Sequence, residues 1–191
     1  MSTSGAVAGG GTEIGGRMKH RAAASRMSGF ALLIAMALAA VPARAAVLEE
    51  SDTSRLADIS EAIKSFEDDV SSALHDLPSN DAEQIESYAY VELNLEAAHE
   101  RLNNIFMLVA VSIYMESPSD QLLVANVMHG QLLPQSKNYL NEKANAIASM
   151  ATSHPANSVL AAYGARAGAI LRDRAIPLLE ELYRRTGALA P

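Results

Sequence analysis

Residues 80–116 read NDAEQIESYAYVELNLEAAHERLNNIFMLVAVSIYME, and this stretch decides the fold. Its large apolar residues recur at intervals of three and four, the spacing of one face of an α-helix packed in a bundle or coiled coil. Residues 105–111 (IFMLVAV) are then apolar on every side of the helix. The regular face consists of Tyr88, Val91, Leu95, Ala98, Leu102, Ile105 and Val109.

Three further stretches have the same periodicity and predict partner helices. The first covers about residues 52–77 and stops at Pro78, after which Asn80 is predicted to cap the second helix. Ser117-Pro118 is typical of a helix start and opens the third helix. The third helix should kink at Pro134 and the fourth at Pro177. Predicted core positions of the third helix are Leu122, Ala125, Met128, Leu132, Tyr139, Ile147 and Met150.

The predicted fold class is all-α. The chain has three Phe, no Trp and no hairpin signal, so nothing in it indicates a sheet. Four long helices joined by short turns predict an antiparallel up-down-up-down four-helix bundle, preceded by a signal peptide.

The N-terminal part of the chain predicts export. Residues 1–16 are Gly-rich and are predicted to be a disordered or untranslated leader. Residues 17–45 contain basic residues, an apolar run at 30–41 and small residues before a cleavage position after Ala45, which are the parts of a secretory signal peptide. A membrane anchor is the alternative, but the run is shorter than the roughly 20 residues of a span. We expect residues 46–191 to form one periplasmic or secreted domain with no membrane span after cleavage.

Composition excludes several kinds of site and partner. The chain has no cysteine, which excludes disulfides, thiolate metal sites and covalently attached haem. Residues 46–116 carry 16 acidic and 3 basic residues, whereas residues 117–191 carry 5 and 7. Such an acidic domain argues against nucleic acid as a partner. The uneven charge fits either solvated helix faces or docking onto a basic partner.

Aligning the first two helices at their turn predicts an uncovered end. About ten residues of the second helix, roughly 15 Å, extend past the start of the first. This hairpin tip is apolar all round, and exposed apolar patches mark contact sites. The alternative is that both ends of the domain cover it as ordinary core. The predicted interaction residues are Phe106, Met107, Val111, Tyr114, Leu122 and Val124.

Candidate metal ligands are few. Glu96 and His99 have the Glu-x-x-His spacing of di-iron bundles, but the second such motif is missing. His75 and His154 are predicted near turns at one end of the bundle. We therefore expect no metal site, no cofactor and no catalytic residues, because no acid, base and nucleophile converge.

The functional hypothesis from sequence is a non-enzymatic interaction module outside the cytoplasm. It is expected to bind itself or another envelope protein through the hairpin tip. The alternative hypothesis is a bundle that binds a small apolar ligand or a metal beside the kinks at Pro134 and Pro177.

Overall fold

The computed structural model describes residues 48–188, and this part of the chain is all-helical, with no strand. It forms four helical rods, of which the last two are each divided by a π-helical segment with continuous helical dihedrals at the junctions. The rods are α1 (Glu50–His75); α2 (Ala82–Ile113); α3 (Pro118–Val127), a π-helical segment (Met128–Leu132) and α4 (Leu133–Ser153); and α5 (Ser158–Ala167), a second π-helical segment (Gly168–Ala175) and α6 (Ile176–Gly187).

The predictions for the N-terminal region lie outside the described residues. They concern the leader at 1–16 and the signal peptide at 17–45. Within residues 48–188, no helix combines the length and hydropathy that a membrane span requires.

One apolar cluster joins all four rods. The periodic face predicted for α2 is confirmed, since Tyr88 is 4% exposed and the other six residues are fully buried. The same spacing holds in α1, where Leu56, Ile63 and Phe66 are fully buried. The regular apolar repeat therefore identifies the core of the first two helices.

The third rod departs from the predicted core. Leu133 and Leu140 are buried where Leu132 and Tyr139 were expected, so these two positions are wrong by one residue, whereas Ile147 is buried as predicted and Met150 packs against the core. The cause is the π-helical segment Met128–Leu132, because a π turn takes one residue more than an α turn. The buried positions of this rod are Ala125, Met128, Leu133, Ser136, Leu140, Ala144 and Ile147.

Both internal prolines follow a π-helical segment. Pro134 and Pro177 are each the second residue of the α-helix that comes after it. Proline cannot donate a backbone hydrogen bond and crowds the carbonyl four residues earlier. The wider π turn accommodates that carbonyl, so the chain continues as a helix at the two predicted kink positions.

Two helix starts differ from expectation. Asp81, and not Asn80, caps α2, and its carboxylate accepts a hydrogen bond from the backbone N–H of Gln84 at 3.2 Å. In α1, Glu49 and Asp52 form a reciprocal capping box in which Asp52 accepts from the N–H of Glu49 at 2.9 Å. Acidic side chains at helix N-termini are also favoured by the helix dipole.

Candidate functional site

The end of α2 extends past the start of α1. The two helices meet at the short turn 76–81 and have 32 and 26 residues, so the excess of six residues lies at the other end of α2. Six residues amount to roughly 9 Å. This is less than the predicted overhang, because α1 begins two residues earlier than expected and α2 ends three residues earlier.

The fourth rod ends at the same level as the start of α1. Arg185 in the last turn of α6 pairs with Asp52 in the first turn of α1. Gly187, the last residue of α6, lies against the ring of His129 in the π-helical segment of the third rod. Since α3 precedes His129 in that rod, α3 and the end of α2 form a hairpin at the margin of the bundle.

Six large apolar side chains on this hairpin are exposed, and we call them the apolar tip. Tyr114 is 78% exposed and Leu123 is 63% exposed, while the others are about one-third to one-half exposed. Groups of exposed apolar side chains commonly mark contact sites. The apolar tip consists of Met107, Leu108, Val111, Tyr114, Leu123 and Val127.

The α2 part of the tip faces away from the core. Val109 is fully buried, and Val111 lies two residues further on, which is about 200° around the helix. Met107 and Tyr114 are spaced by four and three residues from Val111 and share its face. Leu93, which was not among the predicted interaction residues, also belongs to this outer face and is 61% exposed.

The six predicted interaction residues differ in how far their side chains are buried. Met107, Val111 and Tyr114 are exposed as expected. Phe106 and Val124 are half-buried and pack against the core. Leu122 is also half-buried. On α3 the exposed residues are instead Leu123 and Val127, because Ala125 faces inward and its neighbours two positions away face outward.

The tip carries almost no charge, in contrast to the rest of α2. Every acidic residue of α2 precedes Arg101. From 102 to 115 there is no Asp, Glu, Lys or Arg, and Asp120 is the only such residue between 117 and 136. Contact through the tip therefore requires little desolvation of charge.

Local hydrogen bonds hold the turn between α2 and α3. Ser117 is the residue before α3, and Pro118 occupies the first helical position, where its missing N–H costs nothing. The side-chain amide of Gln121 donates to the carbonyl of Met115 at 2.9 Å. The hydroxyl groups of Ser117 and Ser119 lie 3.3 Å apart. These contacts tie α3 to the end of α2.

A histidine joins the base of the tip to α6. The ring of His129 stacks on the ring of Tyr183, with centroids 4.2 Å apart and planes inclined by 14°. Its Nδ1 lies 3.0 Å from the carbonyl oxygen of Tyr183, so Nδ1 carries a proton and donates it. A side chain at Gly187 would collide with this ring.

The weak metal candidates do not converge. Glu96 and His75 are exposed. Nε2 of His154 lies 3.2 Å from Glu83 and its Nδ1 lies 3.0 Å from the carbonyl of Met150. His99 is half-buried. In the described part of the chain, no three His, Asp or Glu side chains come together as metal ligands would.

A groove of about 290 Å³ lies between the third rod and α6. Leu133 and Leu179, each 1% exposed, lie at its buried base, while Lys137 and Glu180 form an ion pair of 3.1 Å at its edge. Its volume is at the lower limit of ligand pockets, roughly 300 Å³, and much of its lining is polar. The groove borders Pro134, where the sequence predicted a cavity; Pro177 is not among its lining residues. The remaining lining residues are Pro134, Asn138 and Tyr183.

The resolved pKa shifts arise from helix pairing and packing. A hydrogen bond from Arg55 lowers the pKa of Glu181, and the same bond raises the pKa of Arg55. Hydrogen bonds to Glu67 and Asp68 raise the pKa of Lys64 to about 12. Burial raises the pKa of Tyr163, whose ring centroid lies 5.5 Å from that of Phe66 and from that of Tyr88. These groups lie apart from the tip.

Comparisons with protein-family models, curated proteins and solved structures find no significant match to this chain.

Proposed function

We propose that this protein is a non-enzymatic interaction module that acts outside the cytoplasm and binds a second copy of itself through the apolar tip. The observation that carries the proposal is the exposure of six large apolar side chains in a region of α2 and α3 that has almost no charge. Large exposed apolar patches are typical of protein contact sites, and Met and Tyr are enriched in them.

The proposed architecture is an antiparallel up-down-up-down bundle. Arg55 near the start of α1 pairs with Glu181 near the end of the fourth rod, and Asp69 near the end of α1 pairs with Arg166 near its start. Lys137 early in α4 pairs with Glu180 late in the fourth rod. Pairs that join opposite ends in this way support antiparallel neighbours.

The proposed location is the periplasm or the exterior, after cleavage of a signal peptide at 17–45. Support comes from the sequence alone, namely a basic segment, an apolar run of about a dozen residues and small residues before position 46. Edman sequencing of the protein from its native envelope or medium should give Ala46 as the first residue. An intact N-terminus at Met1 or Met18 would contradict export by cleavage.

Self-association is tested by placing charge on the tip. The double variant Met107→Glu/Tyr114→Glu should be monomeric at concentrations where the natural sequence is dimeric, because pairing would bury four carboxylates in an apolar contact. Sedimentation velocity over a concentration series measures the association. Both side chains are at least half exposed, so the free energy of unfolding should change by less than about 0.5 kcal/mol per site.

The matched control is Leu93→Glu. This residue shares the outer face of α2 but lies outside the tip, and its exposure is similar. It should leave the dimer intact. If the tip variant unfolds, the tip belongs to the core; if the variant remains folded with unchanged association, self-association through the tip is wrong.

The groove beside Pro134 supports a second candidate function, the binding of a small ligand with an apolar part. Leu133 and Leu179 would contact that part, and Lys137 or Asn138 would contact a polar group. Native mass spectrometry of protein purified from its source should then show a bound mass that the variant Lys137→Met, which changes a partly exposed side chain of the groove, lacks. Unliganded protein from that source would contradict this function.

A further inference from the structure

We infer that two copies pair tip to tip, with the ends of their α2 helices antiparallel and Val111 beside the two-fold axis. The inference rests on the proposed self-association and specifies its geometry. It commits to a second copy of this chain as the occupant of the apolar tip, and the arguments are the spacing of the exposed residues and the distribution of charge along α2.

Three exposed residues at the end of α2, namely Met107, Val111 and the C-cap residue Tyr114, are arranged almost symmetrically about Val111. Met107 precedes it by four residues and Tyr114 follows it by three, on the same face of the helix. In a two-fold interface, a contact from one residue to a second is matched by the reverse contact. Antiparallel helices centred at Val111 therefore place Met107 against Tyr114 of the second copy twice, as thioether–aromatic contacts.

Charge selects the antiparallel arrangement. A parallel pair along the outer face would bring Glu96 and Glu100 of one copy against the same residues of the other. In the antiparallel pair, Glu100 lies 11 residues from Val111, so the two Glu100 side chains are separated by 22 residues of helix rise, roughly 33 Å. That distance is several times the Debye length of about 8 Å at physiological ionic strength.

The size of the tip indicates a weak dimer. Large apolar side chains cover on the order of 150 Å² each, so six that are about half exposed offer on the order of 500 Å² per copy. Stable dimers bury about 800 Å² per partner. We therefore expect reversible association with a dissociation constant in the micromolar range.

Single cysteines test the geometry, because the chain has none of its own. Val111→Cys should form a disulfide-linked dimer on oxidation, since the two residues face each other across the axis. Leu93→Cys is the control, since Leu93 is somewhat more exposed than Val111 but lies far from the axis. At a concentration where sedimentation shows dimers, Val111→Cys should give at least roughly tenfold more cross-linked product than Leu93→Cys, owing to its higher effective concentration.

A mixed experiment tests the reciprocal contact. Met107→Cys and Tyr114→Cys variants of different mass should cross-link to each other more than either does to itself, and circular dichroism should show that both remain folded. If dimers sediment but Leu93→Cys cross-links as well as Val111→Cys, the antiparallel geometry is overturned while self-association stands. If the natural sequence stays monomeric up to roughly 1 mM, far above the expected micromolar constant, both proposals fail.

Discussion

The carboxylate of Asp52, 1% exposed, accepts a hydrogen bond from the guanidinium of Arg185 and joins the first turn of α1 to the last turn of α6. The second oxygen of Asp52 accepts from the backbone N–H of Glu49. The buried carboxylate is thus fully used, once in a helix cap and once in an ion pair. This pair holds the start of α1 and the end of α6 at the same level of the bundle, below the apolar tip.

Loss of Arg185 should destabilise the protein more than the loss of a partly exposed side chain usually does. Arg185→Met leaves a buried carboxylate without its ionic partner, and we expect the free energy of unfolding in urea to fall by about 2 kcal/mol. Arg184→Met is the control, because Arg184 is exposed and forms no direct ion pair within residues 48–188. Equal effects of the two variants would contradict the role of the Asp52 pair.

The contact between Gly187 and His129 predicts that substitutions at these two positions have non-additive effects on the free energy of unfolding. A Cβ on Gly187 would lie 2.9 Å from Nδ1 of His129, which is held by the Tyr183 stack. Gly187→Ala should lower the free energy of unfolding by about 1–3 kcal/mol through overpacking. Added to His129→Ala, the same change should cost little, and a double-mutant cycle in urea measures this coupling.

Gly168→Ala provides the control for that cycle. No atom lies within 4 Å of a Cβ at Gly168, which is helical, so alanine there should be neutral or stabilising by about 0.5–1 kcal/mol. Additive effects of Gly187→Ala and His129→Ala would show that the ring is free to move away.

The Arg55–Glu181 pair predicts a small pH dependence of stability. The pKa of Glu181 is lowered by its hydrogen bond from Arg55, so the unfolded chain binds more protons at this site as the pH falls. The stabilisation is present above the ordinary carboxyl pKa near 4 and is lost as the pH falls through the lowered value. Because both groups are at least one-third exposed, it should be below about 1 kcal/mol.

Comparing Arg55→Gln with the natural sequence in urea at pH 7 and pH 3 measures this contribution. The difference in free energy of unfolding should shrink at the lower pH. The double variant Arg55→Gln/Glu181→Gln controls for the loss of each charge alone. A difference that grows on acidification would contradict the sign derived from the pKa.

Salt should strengthen the proposed dimer. Residues 48–188 carry 21 acidic and 10 basic residues, so two copies repel each other although their tips are uncharged. Raising NaCl from about 0.02 to 0.5 M screens that repulsion and should tighten association in sedimentation equilibrium. Docking of an acidic half onto a basic half would instead weaken with salt.

Sequence periodicity predicts the fold of α1 and α2 well because each helix is uninterrupted. Every predicted core residue of α2 is buried, since a strict repeat of three and four allows only one buried face. The prediction for the third rod is wrong at Leu132 and Tyr139 for a local reason. Pro134 signals that the helix is interrupted. Whether the interruption is a kink or an extra residue in a π turn depends on how the packed neighbours accommodate that turn.

The tip was predictable as a region but not residue by residue. An all-apolar stretch such as 105–111 has no polar side that would mark its exposed face. The structure orients it through Val109, which continues the core repeat, and this leaves Val111 outside. Leu122 was predicted both as a core position and as an interaction residue, and it is half-buried because the core repeat continues through Ala125 and Met128, which leaves Leu123 outside.

The extra residue of the π turn should allow the third rod to tolerate the deletion of one amino acid. Deleting one amino acid from an ordinary helix rotates all that precedes it by about 100° and disrupts the core. Deleting Gly130, where a Cβ would meet no atom within 4 Å, should convert the segment Met128–Leu132 into regular α-helix while Ala125 and Met128 stay in the core. Leu123 and Val127 would then keep their outward direction, so the third rod can lose one residue here without changing what the hairpin presents to its surroundings.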